Sequence, residues 1–310
     1  MTATLNAWDS DKLREVSTPG TRPTFDLQCH STCSDGSLEP AAVVATAARA
    51  GVRLLALTDH DTVDGVDEAL AAAREHGIAL VPAVELSTVD EGGEDFHVLG
   101  YGIDHADAAL ARALVRWRED RAGRIERMAA RLCDLGLRPD RAVLDERLAA
   151  GRPVGRPHLA AAAIAANRAR LEPAGLADPS AFLEAYLVAG CPAYSRRETP
   201  TVPEAIDAIH AAGGVAVWAH PFFDLWSPRE VRETLERFRA AGLDGVEAFY
   251  ATHDREQTLL LTGLAGDLGL LTTGSADFHA PDHRNFNRFR AFQLHGVEPN
   301  LGPIGEWILR

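Results

Sequence analysis

Six short segments of the chain set a histidine, aspartate or glutamate at or beside the end of an apolar run. They are Asp26-Leu27-Gln28-Cys29-His30 with Ser34-Asp35-Gly36, Thr58-Asp59-His60-Asp61, Val84-Glu85, Phe96-His97-Val98, Ala219-His220-Pro221 and Ser275-Ala276-Asp277-Phe278-His279. Strands that end in such residues present them on one rim of a sheet or barrel, and six converging presentations would make a multinuclear metal site. The set His30, Asp35, His60, Glu85, His97, His220, Asp277 and His279 mixes nitrogen and oxygen donors without a thiolate. That chemistry suits Mn, Fe, Zn or Co better than Ca or Mg and does not choose among them. A lone histidine at a strand end is more often a hydrogen-bonded structural residue. Five in equivalent positions beside three carboxylates favour a shared site. One position is irregular: residue 28 is Gln where a His-x-His pair would be expected, so Gln28 is either a weak ligand or a hydrogen-bonding support for one.

The elements that must carry these side chains alternate between β and helical patterns. From Phe25 to about Ile103, strands over Phe25–Gln28, Val52–Leu57 and Ile78–Val84 are separated by a helix through Ala50, capped near Ser37 and Pro40, and a helix over Asp67–His76 that stops at Gly77. The β signal then vanishes from about Asp104 to Ala193. Helices are expected over Arg112–Leu135, rich in arginine, and over Arg141–Ala150, Pro157–Ala169 and Pro179–Ala189. Alternation resumes with helix Pro203–Ala212, strand Gly214–Ala219, helix Pro228–Ala241, strand Gly245–Tyr250, helix Arg255–Leu268, strand Leu270–Gly274 and a last β run near Phe292. Seven or so strands in parallel units imply an α/β protein with a closed or nearly closed βα barrel, not an open doubly wound sheet. The expected division is a disordered tail over 1–24, barrel over 25–104, a helical insertion acting as a lid or substrate domain over 105–193, and barrel again over 194–310.

Composition narrows the partners. A formal net charge of −14 over 310 residues argues against gripping a long nucleic-acid backbone, which needs basic patches, but leaves a small metal-held nucleotide open. The four cysteines, Cys29, Cys33, Cys133 and Cys191, show neither zinc-knuckle spacing nor the density of a disulfide scaffold. Cys29 and Cys33 flank His30 and read as small buried side chains. With no apolar signal-type segment and no uncharged membrane span, the expectation is a cytoplasmic protein with no membrane association.

The runs Asp-Leu-x-x-His-Ser with Ser-Asp-Gly, Leu-Thr-Asp-His-Asp-Thr, Val-Glu, His-Val-Leu-Gly-Tyr, Ala-His-Pro and Gly-Ser-x-Asp-Phe-His, in that order from about Phe25 to Ala280, resemble the polymerase-and-histidinol-phosphatase (PHP) family. They are most similar to its stand-alone nucleotide phosphoesterases. The resemblance implies a distorted seven-stranded (β/α)7 barrel with a two- or three-metal centre of Mn, Fe or Zn. By motif position, His30, Asp35, His60, Glu85, His97, His220, Asp277 and His279 would be the ligands, with Glu85 bridging. It also implies that Gly155-Arg156-Pro157-His158 and Ser195-Arg196-Arg197 lie near the substrate. Arg156 would then clamp a phosphate, His158 would meet a second phosphate or protonate a leaving oxygen, and Arg197 would add charge. His253, just after a strand, is a further candidate for the pocket, whereas His76 and His210 sit on helices and read as structural.

The expected activity is therefore hydrolysis of a phosphate monoester by metal-activated hydroxide. The expected substrate is the 3′-phosphate of a nucleoside 3′,5′-bisphosphate or a short 5′-phosphorylated oligonucleotide. Other readings are a cyclic phosphate or histidinol phosphate as substrate, and a nucleotide-binding protein whose incomplete metal site, at Gln28, leaves little catalysis. An amidohydrolase barrel would share a first-strand His-x-His but fits the Ser-Asp-Gly and Thr-Asp-His-Asp segments poorly.

Overall fold

A computed structural model describes residues 23–90, 95–150, 152–196 and 199–309. The expected tail lies, up to residue 22, outside the described residues, as does Arg197. Seven strands form one sheet in sequence order: β1 Phe25–Asp26, β2 Leu54–Leu57, β3 Ala79–Val89, β4 Asp95–Tyr101, β5 Val215–Trp218, β6 Gly245–Tyr250 and β7 Leu271–Ser275. The first and last strands meet. Leu27 N–H donates to the Gly274 carbonyl at 3.1 Å, His30 N–H donates to Phe278 O at 2.8 Å, and Cys29 bridges Phe278 in parallel. The sheet is thus a nearly closed barrel of the (β/α)7 type.

Strand direction departs from the all-parallel expectation at one place. β4 pairs antiparallel with both β3 and β5, and the remaining neighbours are parallel. The reversal has a positional effect: the C-terminal ends of the parallel strands and the N-terminal end of β4 share one rim. His97, opposite Ser87 in the register, therefore reaches that rim from the start of its strand. The β run expected near Phe292 is not a strand. Phe292 is apolar because it packs on the barrel wall, its ring centroid 5.4 Å from that of Phe25.

The helices follow the sequence closely. The barrel carries α1 Pro40–Arg49, α2 Val66–His76, α7 Val202–Ala211, the single-turn α8 Pro221–Asp224, α9 Pro228–Ala240 and α10 Arg255–Leu268. Between β4 and α7 stand α3 Ala108–Asp134, α4 Arg141–Ala149, α5 Arg156–Leu171 and α6 Pro179–Phe182. α1 is capped by Glu39, not Ser37, with Pro40 in its first turn, where a missing N–H costs nothing. α2 ends at Gly77 in the left-handed region (φ 66°), the conformation that lets a chain leave a helix with its last carbonyls satisfied. The expected helix over Pro179–Ala189 is instead one α turn that widens into a π turn, Leu183–Leu187. α3 bridges the two parts of the molecule. Leu110, Leu114 and Trp117 near its start are buried in the barrel core, whereas Ile125, Met128 and Leu132 near its end belong to a separate apolar cluster with Leu144, Leu159, Ile164 and Phe182. Among the described residues no helix is long and apolar enough to cross a membrane.

Candidate metal centre and cleft

Each strand end delivers its residue to one place. Glu85 sits at the centre, fully buried, and its two oxygens face different histidines. Oε1 lies 2.8 Å from His97 Nδ1 and 3.3 Å from His220 Nε2. Oε2 lies 3.1 Å from His30 Nε2 and 3.4 Å from His60 Nδ1. Asp35 reaches His60 at 3.6 Å and His279 at 3.7 Å, and Asp277 reaches His30 at 3.1 Å and His279 Nδ1 at 3.6 Å. All eight sequence-derived ligand candidates are therefore brought together.

The backbone is bent to make this possible. Gly36 is required behind the first of these segments, because a Cβ there would collide with the His30 carbonyl. Asp61, His220 and Asp277 occupy the left-handed region at φ 53°, 32° and 52°, uncommon for residues with side chains and costing on the order of 1–3 kcal/mol each. Supporting side chains hold the loops. Asp59 accepts hydrogen bonds from Ser31 N–H (2.8 Å), Ser31 Oγ (2.6 Å) and Ser34 Oγ (2.5 Å). Asp26 accepts from Ala276 N–H (2.9 Å), and Tyr250 donates to Asp277 Oδ2 (2.7 Å).

The electrostatics are those of a cation site. His30 Nε2, His60 Nδ1, Glu85 Oε2 and Asp277 Oδ1 are buried with no hydrogen-bond partner, although His30 Nε2 stands 3.1 Å from both carboxylates. Donor atoms so close, so buried and not hydrogen-bonded are in the arrangement that an ion would satisfy. Two subsets each converge within 4.8 Å: His30, Asp35, His60 and His279, and His60, Glu85 and His97. Burial favours the neutral carboxyl of Glu85, but the imidazoles of His60 and His97 outweigh it and hold the group well below the usual carboxylate range. Asp277 lies at about 2, burial again being overcome, here by His279 and His30. His60 is pushed down to about 3 by burial against the pull of Glu85 and Asp35, so it stays neutral with one ring-nitrogen lone pair to offer. The residues present fit a divalent centre.

Gln28 joins a buried hydrogen-bonding chain that runs through Ser275 to Glu247. It is buried, and its Oε1 stands 3.4 Å from the Ser275 hydroxyl, which also lies 2.6 Å from Glu247. Glu247 accepts in turn from the His220 N–H (2.9 Å), and burial pushes its carboxyl up to about 8, with His220 opposing.

Facing the rim across a cleft of about 670 Å³ is an arginine wall contributed by α3 and α5. Arg118, Arg121, Arg124 and Arg127 recur every three residues along α3. Arg118 donates to the Asp61 carbonyl (3.0 Å). Arg121 donates to Asp61 Oδ2 (2.5 Å) and Ser87 Oγ (2.8 Å). Arg124 donates to Asp95 Oδ2 (2.7 Å) and Ser195 O (2.7 Å), and Arg127 to Ser195 Oγ (3.1 Å). Arg156, at the start of α5, places Nη1 3.2 Å from the same Asp95 oxygen that Arg124 holds. Two guanidiniums thus share one carboxylate, which leaves that corner of the cleft locally positive.

His158 accepts a hydrogen bond from Gly155 N–H at Nδ1 (3.1 Å), and burial pushes it down to about 4 despite the nearby Asp35. It is therefore neutral, with its proton on Nε2. His253 is a correction. It does not line the cleft but packs against Phe222 and Tyr250, with Nδ1 3.2 Å from the Ala248 carbonyl. A strand-end position did not reach the rim because Tyr250 fills that place. Sequence reasoning also missed Arg121, Arg124, Asp95, Phe223, Tyr250, Phe286 and His283, all lining the cleft. The three-residue arginine spacing of α3 was the one signal available for them.

A profile of the PHP domain matches residues 26–137. The chain is 35% identical over 257 residues to a 5′-3′ exoribonuclease of Haemophilus influenzae, covering 83% of this chain and 90% of that protein. It is 35% identical over 261 residues to a 3′,5′-nucleoside bisphosphate phosphatase of Chromobacterium violaceum, covering 83% and 87%. A solved structure from Bifidobacterium adolescentis, assigned as a metal-dependent phosphoesterase, superposes with a TM-score of 0.70 at 30% identity, covering 92% of this chain and 95% of that one. The chain belongs to the PHP-domain family of metal-dependent phosphoesterases.

Proposed function

We propose that the protein hydrolyses a phosphate monoester of a small nucleotide, with the 3′-phosphate of a nucleoside 3′,5′-bisphosphate as the leading candidate. The observation that carries this reading is the two-walled cleft. A histidine–carboxylate cluster suited to divalent cations faces Arg156, Arg124 and Arg121, so a ligand with two phosphate groups meets positive charge at both ends. The relatives named as a bisphosphate phosphatase and an exoribonuclease support the same substrate class.

In this reading His30, Asp35, His60, Glu85, His97, His220, Asp277 and His279 would hold two or three divalent ions, the two oxygens of Glu85 facing different histidines. Such ions, when bound, supply Lewis acidity toward phosphoryl oxygens and lower the pKa of water. Arg156 orients the phosphate remote from the rim, and Arg124 keeps Asp95 from neutralising it fully. His158, neutral, donates from Nε2 to a phosphate oxygen and does not deliver a proton as an imidazolium. Arg197, a candidate substrate contact from the sequence, lies outside the described residues. Residues 105–193 act as a substrate-covering domain on a barrel formed by 25–104 and 194–310. Gln28 supports the cluster from below through Ser275 and is not itself a ligand.

Purified protein loaded with Mn should release phosphate from nucleoside 3′,5′-bisphosphate, leaving the 5′-phosphate in place, as read by phosphate assay and product chromatography. Absence of release from a nucleotide panel, or release confined to histidinol phosphate, would overturn the reading.

A further inference from the structure

The barrel mouth opens into a second, smaller cavity that the reading above leaves unused. It encloses about 380 Å³ and is lined by Thr252, which follows β6, and by Arg284, Asn285, Asn287 and Arg288 of the loop that follows β7. Arg284 and Asn285 line the metal-facing cleft as well, so the two spaces are contiguous. Each lies within the range of about 300–1,000 Å³ that encloses one small ligand, and two in series suit two linked units.

The loop is internally tied. His283 Nδ1 accepts from Asn285 N–H (3.2 Å) and Phe286 N–H (3.0 Å). Asn287 Nδ2 donates to His283 O (2.8 Å), His279 N–H donates to Phe286 O (3.0 Å), and Asp26 takes the Arg290 N–H (2.7 Å). With its backbone thus committed, the loop turns its guanidiniums outward. Arg284 and Arg288 are exposed, and neither makes an ion pair or a hydrogen bond among the described residues. In a chain of net charge −14, two neighbouring arginines without an ion-pair partner among the described residues, on a stretch of loop whose one carboxylate is the exposed Asp282, give the edge of the cleft a local positive charge. Between them Phe286 stacks on His283 (centroids 5.1 Å, 24°) and meets Phe223 at 6.1 Å, whose ring is 53% exposed. Phe286 itself is buried, so the aromatic face on offer is that of Phe223, and cations beside an exposed aromatic face are the chemistry that binds single-stranded nucleic acid.

Resting on the nucleotide reading above, we infer that this loop is a second subsite. It takes the phosphodiester and nucleotide adjoining the reacting one in a short single-stranded 5′-phosphorylated oligonucleotide. Arg284 and Arg288 hold the phosphodiester, and the exposed ring of Phe223, backed by the buried Phe286, stacks a base. Substrate length, not only the reacting phosphate, is then read by the chain.

Arg288, which lines only the outer cavity, is the test position, in the full-length protein as Arg288→Ala, Arg288→Glu and Arg288→Lys. A fluorescent 5′-phosphorylated tetranucleotide is titrated under chelator, which halts turnover, and its anisotropy is followed across a range of salt. Arg288→Ala should weaken binding about tenfold and lower the log–log salt slope by about 1, Arg288→Glu should weaken it further, and Arg288→Lys should restore most of the loss. In the Mn-loaded enzyme, the ratio of kcat/KM for a 5′-phosphorylated dinucleotide to that for a nucleoside 3′,5′-bisphosphate should fall about tenfold in Arg288→Ala. Parent-like binding, slope and ratio would overturn the subsite, and so would an equal loss on both substrates. An enzyme that cleaves bisphosphate while Arg288 has no effect refutes the subsite alone. Arg288-dependent binding without any nucleotide turnover refutes the catalytic reading alone.

Discussion

The two walls of the cleft are built on different principles. The barrel rim takes its side chains from strand ends, whose positions are fixed by backbone pairing around a closed sheet. The insertion takes its side chains from long arginines on α3 and α5, each placed by what it grips: Asp61, Ser87, Asp95 or Ser195. The geometry of the rim is accordingly set by the backbone, and the arginine wall owes its geometry to a few buried or half-buried ion pairs. Damage to the rim should abolish chemistry with little effect on folding, whereas damage to the wall should divide between rate and stability.

The largest effect is expected at the rim. His60→Ala or His220→Ala should lose bound metal and lower turnover by on the order of a thousandfold, with circular dichroism barely changed. Retained metal by elemental analysis would mean that the rim is not the centre. On the opposite wall, Arg156→Ala should lower kcat/KM on bisphosphate by about 2–4 kcal/mol of transition-state stabilisation, with metal content unaltered. Parent-like kinetics would return Arg156 to a role as the partner of Asp95.

Arg121→Met probes the joint between the walls. It removes a cation from the fully buried Asp61 carboxylate and should cost about 3 kcal/mol in denaturant unfolding. A loss below about 1 kcal/mol would show that the insertion is not anchored there.

The smallest effects distinguish histidines and amides beneath the rim. Burial holds His253 down to about 4 from 6.5. Its contribution to stability is therefore complete above 6.5 and is lost as pH falls toward about 4, where the unfolded chain binds the extra proton. His253→Phe should reduce the acid loss of stability across that window by about 1–3 kcal/mol while Mn-dependent turnover at neutral pH stays within twofold of the parent. An unchanged acid limb would refute this assignment. Gln28→His should shift metal stoichiometry and the midpoint of Mn activation only slightly if Gln28 is bound to Ser275 and not to metal. A marked tightening would make residue 28 a limiting ligand position.

The same contrast explains what the sequence revealed. Strand-end His and carboxylate residues were legible because short apolar runs that stop at a polar residue mark both the strand and its rim. The helices were legible to within a few residues, Arg255–Leu268 matching at both ends. The reversal of β4 was not, because an antiparallel hairpin and a parallel crossover use the same apolar residues and the direction is decided by the connection. His253 was misplaced for a related reason. A residue three positions beyond a strand can turn inward beneath an aromatic ring, and only the packing of Tyr250 decides it. The arginine wall was half-visible: Arg156 stood in a short recognisable segment, but Arg121 and Arg124 were submerged in an arginine-rich helix, and their partners lie far away in sequence.

The left-handed backbone at Asp61, His220 and Asp277 has a kinetic corollary. Three residues held in sparsely populated conformations store free energy at the rim while the surrounding barrel stays relaxed. Local opening is favoured where strain is released, so the rim should breathe before the rest of the barrel, with amide protons near residues 61, 220 and 277 exchanging faster than those within β2, β5 and β6. Such breathing offers a bound ion a way out that does not require unfolding, and it makes the residence time of the metal, as distinct from its affinity, a property that single backbone positions can set.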